Sequence, residues 1–153
     1  MKAINLGAGG ILHLPDHRVP LGSSGLAAAR VDDQARVLAD AHGCPACPHP
    51  AAGPIVTGSP NVFVNGRRAA RVEDTGTHTA CCGPNTFEVV MGSATVYING
   101  KPGHRKGDET KHCGGIGSTY QGSGSVQYGG ASVRKGDPQS RPQMTNWMPN
   151  SGR

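Results

Sequence analysis

The sequence predicts an all-β fold in which a pseudo-three-fold β-hairpin repeat closes into a cone or prism. One observation behind this is an internal repeat whose apolar residues alternate with a period of two. Another is a pair of Asn-Gly turns at matching places in that repeat. The last is composition. Of 153 residues, 24 are glycine and 12 proline, while Leu, Ile, Val and Phe together make up only about 16%. That excludes a large mixed core and lies near the composition of disordered chains, but the valines fall in register, which disordered chains do not require.

Along the chain, residues 1–34 form an N-terminal extension carrying one partial copy, Ala28-Ala29-Arg30-Val31-Asp32-Asp33. Residues 35–137 form the repeat domain, and residues 138–153 a flexible C-terminal tail, polar except for Trp147 and Met148. The first full copy runs Gly58-Ser59-Pro60-Asn61-Val62-Phe63-Val64-Asn65-Gly66 and closes on Ala69-Ala70-Arg71-Val72-Glu73-Asp74. The second runs Gly92-Ser93-Ala94-Thr95-Val96-Tyr97-Ile98-Asn99-Gly100 and closes on Gly103-His104-Arg105-Lys106-Gly107-Asp108. A looser third runs Gly122-Ser123-Gly124-Ser125-Val126-Gln127-Tyr128-Gly129 and closes on Ser132-Val133-Arg134-Lys135-Gly136-Asp137.

Each copy reads as strand, tight turn, strand. Asn65-Gly66 and Asn99-Gly100 suit a type I′ turn, whose two central residues need positive φ, and Gly129-Gly130 is expected to serve the same way. Val62, Val96 and Val126 then form one layer around the axis, and Val64, Ile98 and Tyr128 another. At roughly 1.5 to 3 kcal/mol per buried side chain, this core is slight against the entropy of ordering some hundred residues. An additional staple is expected.

The segments between copies supply one. The first holds His42, Cys44, Cys47 and His49, the second His78, Cys81 and Cys82, and the third His112 and Cys113. Three-fold closure brings all of them to one end of the prism. Clustered Cys and His read as metal ligands sooner than as disulfides, and a tetrahedral zinc tying three loops adds folding free energy where the core is thin. A zinc knuckle within the first loop alone is the alternative, and it leaves the other loops without a role.

Other residues are read as structural. His13, His17 and His104 are taken as surface residues. Asp40, Glu73, Asp74, Asp108 and Glu109 are taken as turn residues that bond the backbone, which argues against a zinc hydrolase, since that needs a general base and a concave pocket. Cys44-Pro45-Ala46-Cys47 has redox spacing but no following helix to activate a thiol. Arg67, Arg68, Arg71, Arg105, Lys106, Arg134 and Lys135 recur in register and are expected to ring the outside, facing an acidic partner or an anionic membrane surface. With little aromatic interleaving, nucleic acid is not an expected partner. No run approaches the ~18 apolar residues of a membrane helix. The N-terminus lacks the basic start and apolar stretch of a secretory signal, so synthesis in the cytoplasm and export by another route are expected.

With repeat and loops in hand, the chain resembles the Pro-Ala-Ala-Arg (PAAR) repeat family. The residues that carry the resemblance are 58–74, with Arg68-Ala69-Ala70-Arg71 in place of the name motif, and 92–108, with Lys101-Pro102-Gly103-His104-Arg105. The 42–55 segment, Cys81-Cys82-Gly83-Pro84-Asn85 and His112-Cys113-Gly114-Gly115 add to it. The resemblance implies a cone whose apex is pinned by one structural zinc ion (Zn2+), held in the family by three histidines and one cysteine. Carried onto this chain, His42, His49, Cys81 and His112 give one balanced set, with His78, Cys82 and Cys113 as alternates. It further implies a non-enzymatic tip seated by its base on a trimeric valine-glycine repeat (VgrG) spike, one copy per spike. Such tips serve type VI secretion and related contractile injection machines, leaving the cell, piercing a target membrane and carrying separate effector or adaptor chains. The tip of a phage or phage-like tail is the alternative within this reading, and a cytosolic zinc-binding module the alternative outside it.

Overall fold

The computed structural model describes residues 25–41, 48–78 and 84–141. Among these, fourteen strands and one 3-10 turn follow in order. They are β1 (Leu26–Ala27), β2 (Gln34–Asp40), β3 (His49–Pro54), β4 (Phe63–Val64), β5 (Arg67–Arg68), β6 (Thr75–Thr77) and β7 (Thr86–Val89). After these come β8 (Met91–Ser93), β9 (Tyr97–Ile98), β10 (Lys101–Pro102), β11 (Glu109–Lys111), β12 (Ile116–Thr119), β13 (Gln127–Tyr128), β14 (Ser132–Arg134) and the turn Pro138–Ser140. The fold is all-β, as the repeat predicts.

Two of the expected hairpins are present. β4 pairs with β5 and β9 with β10, and the turns between them have φ of 50° and 76° at Asn65 and Gly66, and of 53° and 77° at Asn99 and Gly100. The third is assembled differently. β13 pairs with β1, Leu26 opposite Tyr128, while β14 leaves to pair with β8. The reason lies in the N-terminal partial copy. Leu26, Arg67 and Lys101 each stand four residues before Arg30, Arg71 and Arg105, so the stretch 26–33 is the closing half that the third copy lacks. Gly129-Gly130 is therefore not a hairpin turn, although Gly130 has a φ of 83°.

Three units thus surround one axis, and hydrogen bonds close the circle. The Ala29 N–H donates to the His104 carbonyl, the His104 N–H to Ala70, and the Ala70 N–H to Ala29, each at 3.0 Å. A second ring lies toward the turns. The Ser59, Ser93 and Ser123 hydroxyls donate to Asn99 Oδ1, the Gly129 carbonyl and Asn65 Oδ1 in the next unit. Arg71, Arg105 and Arg30 donate from Nη1 to those same three acceptors.

Three closing aspartates each hold their own arginine, whereas Asp137 accepts from the Gln139 N–H and Arg134 bonds Glu109. Asp33, Asp74 and Asp108 accept from the backbone N–H and the guanidinium of Arg30, Arg71 and Arg105. The residue before each aspartate has positive φ: 75° at Asp32, 78° at Glu73 and 92° at Gly107. Of the expected outer ring of cations, Arg68, Lys106, Arg134 and Lys135 are exposed, but Arg105 and Arg71 turn inward, their side chains only 1% and 11% exposed. Charge burial is tolerated here because each guanidinium is paired in a two-pronged contact.

The core is thin. Val64, Ile98 and Tyr128 cluster with Ala28 and Ala69, and Val96 and Val126 pack against them. Val62 is 36% exposed and stays outside this cluster. Toward the other end Ala29, Ala35, Ile55, Ala70, Phe87 and Val89 form a second cluster. A six-stranded sheet, β3-β2-β12-β11-β7-β6, wraps it and closes through a bridge between Ile55 and Gly76. Gly53 permits that closure, because a Cβ there would lie 1.9 Å from the Thr77 carbonyl oxygen. The ends of β2, β6 and β11 and the starts of β3, β7 and β12 lie together at one end of the barrel.

Candidate metal centre

Equivalent steps of the repeat place Val37, His78 and His112 four residues after Asp33, Asp74 and Asp108. His78 follows β6 and His112 follows β11; both are buried. The matching position on β2 is Val37, 3% exposed. Two of the three units thus turn an imidazole inward, and the unit closed by Asp33 turns an isopropyl group.

The unit closed by Asp33 contributes a carboxylate instead. Ala35 and Val37 face inward, and strict alternation would put residue 39 inside next. The β2–β3 register shifts between Val37, opposite Ala51, and Asp40, opposite His49, so β2 carries one additional residue there. Such a bulge moves the strand by one step and swaps its faces. Asp40 is fully buried, and its Oδ2 lies 3.1 Å from His78 Nε2. His112 Nε2 lies 2.9 Å from Thr110 Oγ1. The imidazoles stack at 5.2 Å between centroids, and Phe87 stacks on His112 at 4.9 Å.

Asp40, His78 and His112 each present a ligand atom within 4.8 Å of the others. Two imidazoles and one carboxylate, buried against apolar walls, are a donor set that suits zinc, so the residues present fit the ion that the sequence leads one to expect. His112 and the alternate His78 are brought together. His49, at the start of β3, is half-buried with Nδ1 2.8 Å from the Pro50 carbonyl oxygen and does not join this group. Cys113 is exposed. His42, Cys44, Cys47, Cys81 and Cys82 lie outside the described residues.

Two sequence readings are corrected. Asp40 is no turn residue; what could have drawn attention to it is Val37, standing where the other units have histidine. His104 is no surface residue, being fully buried at the axial position that Ala29 and Ala70 occupy in the other units. Its Nδ1 lies 2.7 Å from the Met91 carbonyl oxygen and its Nε2 2.7 Å from Thr119 Oγ1. A carbonyl only accepts, so Nδ1 carries the proton and Nε2 accepts from the hydroxyl. Burial holds the imidazole pKa below the ordinary histidine value.

A family model described as the PAAR motif matches residues 23–84 and again residues 48–118. No curated protein matches the chain.

Proposed function

The chain belongs to the PAAR-motif family, and from that membership we propose that it is a non-enzymatic spike tip whose apex is pinned by one structural zinc ion. A spike-tip role in contractile injection systems generally follows from the family. The observation that carries the zinc is the buried Asp40, His78 and His112 group at the end where the connecting segments emerge. His112 belongs both to this group and to the set that the family resemblance implies; His42 and Cys81 are the candidates to complete it.

At the opposite end of each unit stand the turns and the serine ring, with Phe63, Leu26 and Val62 exposed nearby. Three nearly equivalent units present three similar surfaces, which is what a trimeric spike of the VgrG type requires of a single seated chain. We take this end as the base, and export as occurring on the machine itself.

The test is metal analysis of the purified full chain, with melting followed in the presence and absence of a chelator. About one zinc per chain is expected, lost together with much of the thermal stability on chelation, and His112→Ala should reproduce both losses. A melting temperature indifferent to chelator would sink the pinned apex. Co-purification with a trimeric spike protein from the same genome tests the base.

A further inference from the structure

We propose that Asp40 is itself a ligand of the apical metal, so that the centre contains a carboxylate, which the set of three histidines and one cysteine does not. This rests on the zinc-pinned reading above. Three independent features carry it.

One is the broken symmetry. β6 and β11 deliver histidines at equivalent steps, but β2 has Val37 at its own, and a valine offers no ligand. Another is the bulge. One added residue between Val37 and Asp40 puts the carboxylate on the inner face, where an unbroken strand would have left it in solvent. The last is distance. With metal bonds of about 2.0 Å, neighbouring ligand atoms of a tetrahedral zinc stand about 3.3 Å apart, and Asp40 Oδ2 stands 3.1 Å from His78 Nε2.

Charge agrees with this. A fully buried carboxylate is costly unless a cation is beside it. Among the described residues, the titratable groups close to Asp40 include His78 at 3.1 Å, His112 in the same group, and His49 opposite it across the β2–β3 ladder. A divalent ion held at this carboxylate would balance its charge. The competing arrangement is an Asp40 that only bonds His78, with the metal held by other residues.

The experiment loads the full chain with Co2+ in place of zinc and compares wild type with Asp40→Asn. Affinity is read by chelator competition and the ligand field by the visible d–d bands. Wild type should bind about one ion, and Asp40→Asn should bind at least about ten-fold more weakly with displaced bands. If Asp40→Asn does not fold, Asp40→Glu keeps the charge and an oxygen donor, and should still bind with altered bands. Bands unchanged from wild type in the variant that folds would overturn the proposal, whether or not affinity falls, since Asp40 would then only orient His78. In that case the zinc-pinned apex stands. A wild-type chain that takes up neither zinc nor Co2+ would remove that reading, and this proposal with it.

Discussion

His104 shows how much one residue's setting decides. Ala29 and Ala70 fill the same axial position in the other two units, and Ile55 and Val89 stand there where Thr119 stands beside His104. The second unit has thus replaced an apolar contact with a hydrogen-bonded pair of similar place. Burial is the largest influence on the imidazole, lowering its pKa, and the Met91 carbonyl offsets part of that. A folded pKa below the unfolded one means that the unfolded chain binds more protons. Stability should therefore fall as pH drops below the ordinary histidine value of about 6.5. His104→Ala should cost about 1 to 3 kcal/mol at neutral pH by orphaning Thr119 and the Met91 carbonyl, and should flatten the acid-side decline. Melting curves of both chains between about pH 5 and pH 8 check this. None of it was legible in the sequence, where His104 reads as one more polar residue in a basic segment.

Among the elements, the parts written in local chemistry were legible. Asn65-Gly66 and Asn99-Gly100 require positive φ and form the expected turns. The closing aspartates of the first three turns recur because each holds its arginine and a backbone N–H. Less legible were the barrel strands, since Thr75–Thr77 and His49–Pro54 carry no apolar alternation. Their inward positions are filled by small residues such as Ala51, Gly53 and Gly76, because the barrel leaves no room for more. Gly53→Ala would drive a methyl into the Thr77 carbonyl and should destabilise by at least about 3 kcal/mol, the upper end for overpacking. Circular dichroism melting would register this as a large drop or as failure to fold. The bulge that turns Asp40 inward was hidden for a related reason: it depends on how β2 meets β3, not on either strand alone.

At the scale of the molecule, the three-fold count was legible and the way it closes was not. The sequence reads as three hairpins and one partial copy, Ala28 to Asp33, and the pairing of β1 with β13 shows that this partial copy, not the stretch 132–137, closes the third unit. A chain comprising residues 35–137 should therefore fail to melt cooperatively, whereas one comprising residues 25–141 should behave as the full chain does, by calorimetry and gel filtration. The shorter chain lacks Ala29 from the axial ring and the Arg30 contacts to Asp33 and Asn65. The same seam has a mechanical consequence. In the first two units a covalent turn joins the paired strands, but in the third the chain departs after Tyr128 and arrives before Leu26 at the same end of a two-residue ladder. Tension applied between those two departures would peel the ladder open one contact at a time, the weak direction for paired strands.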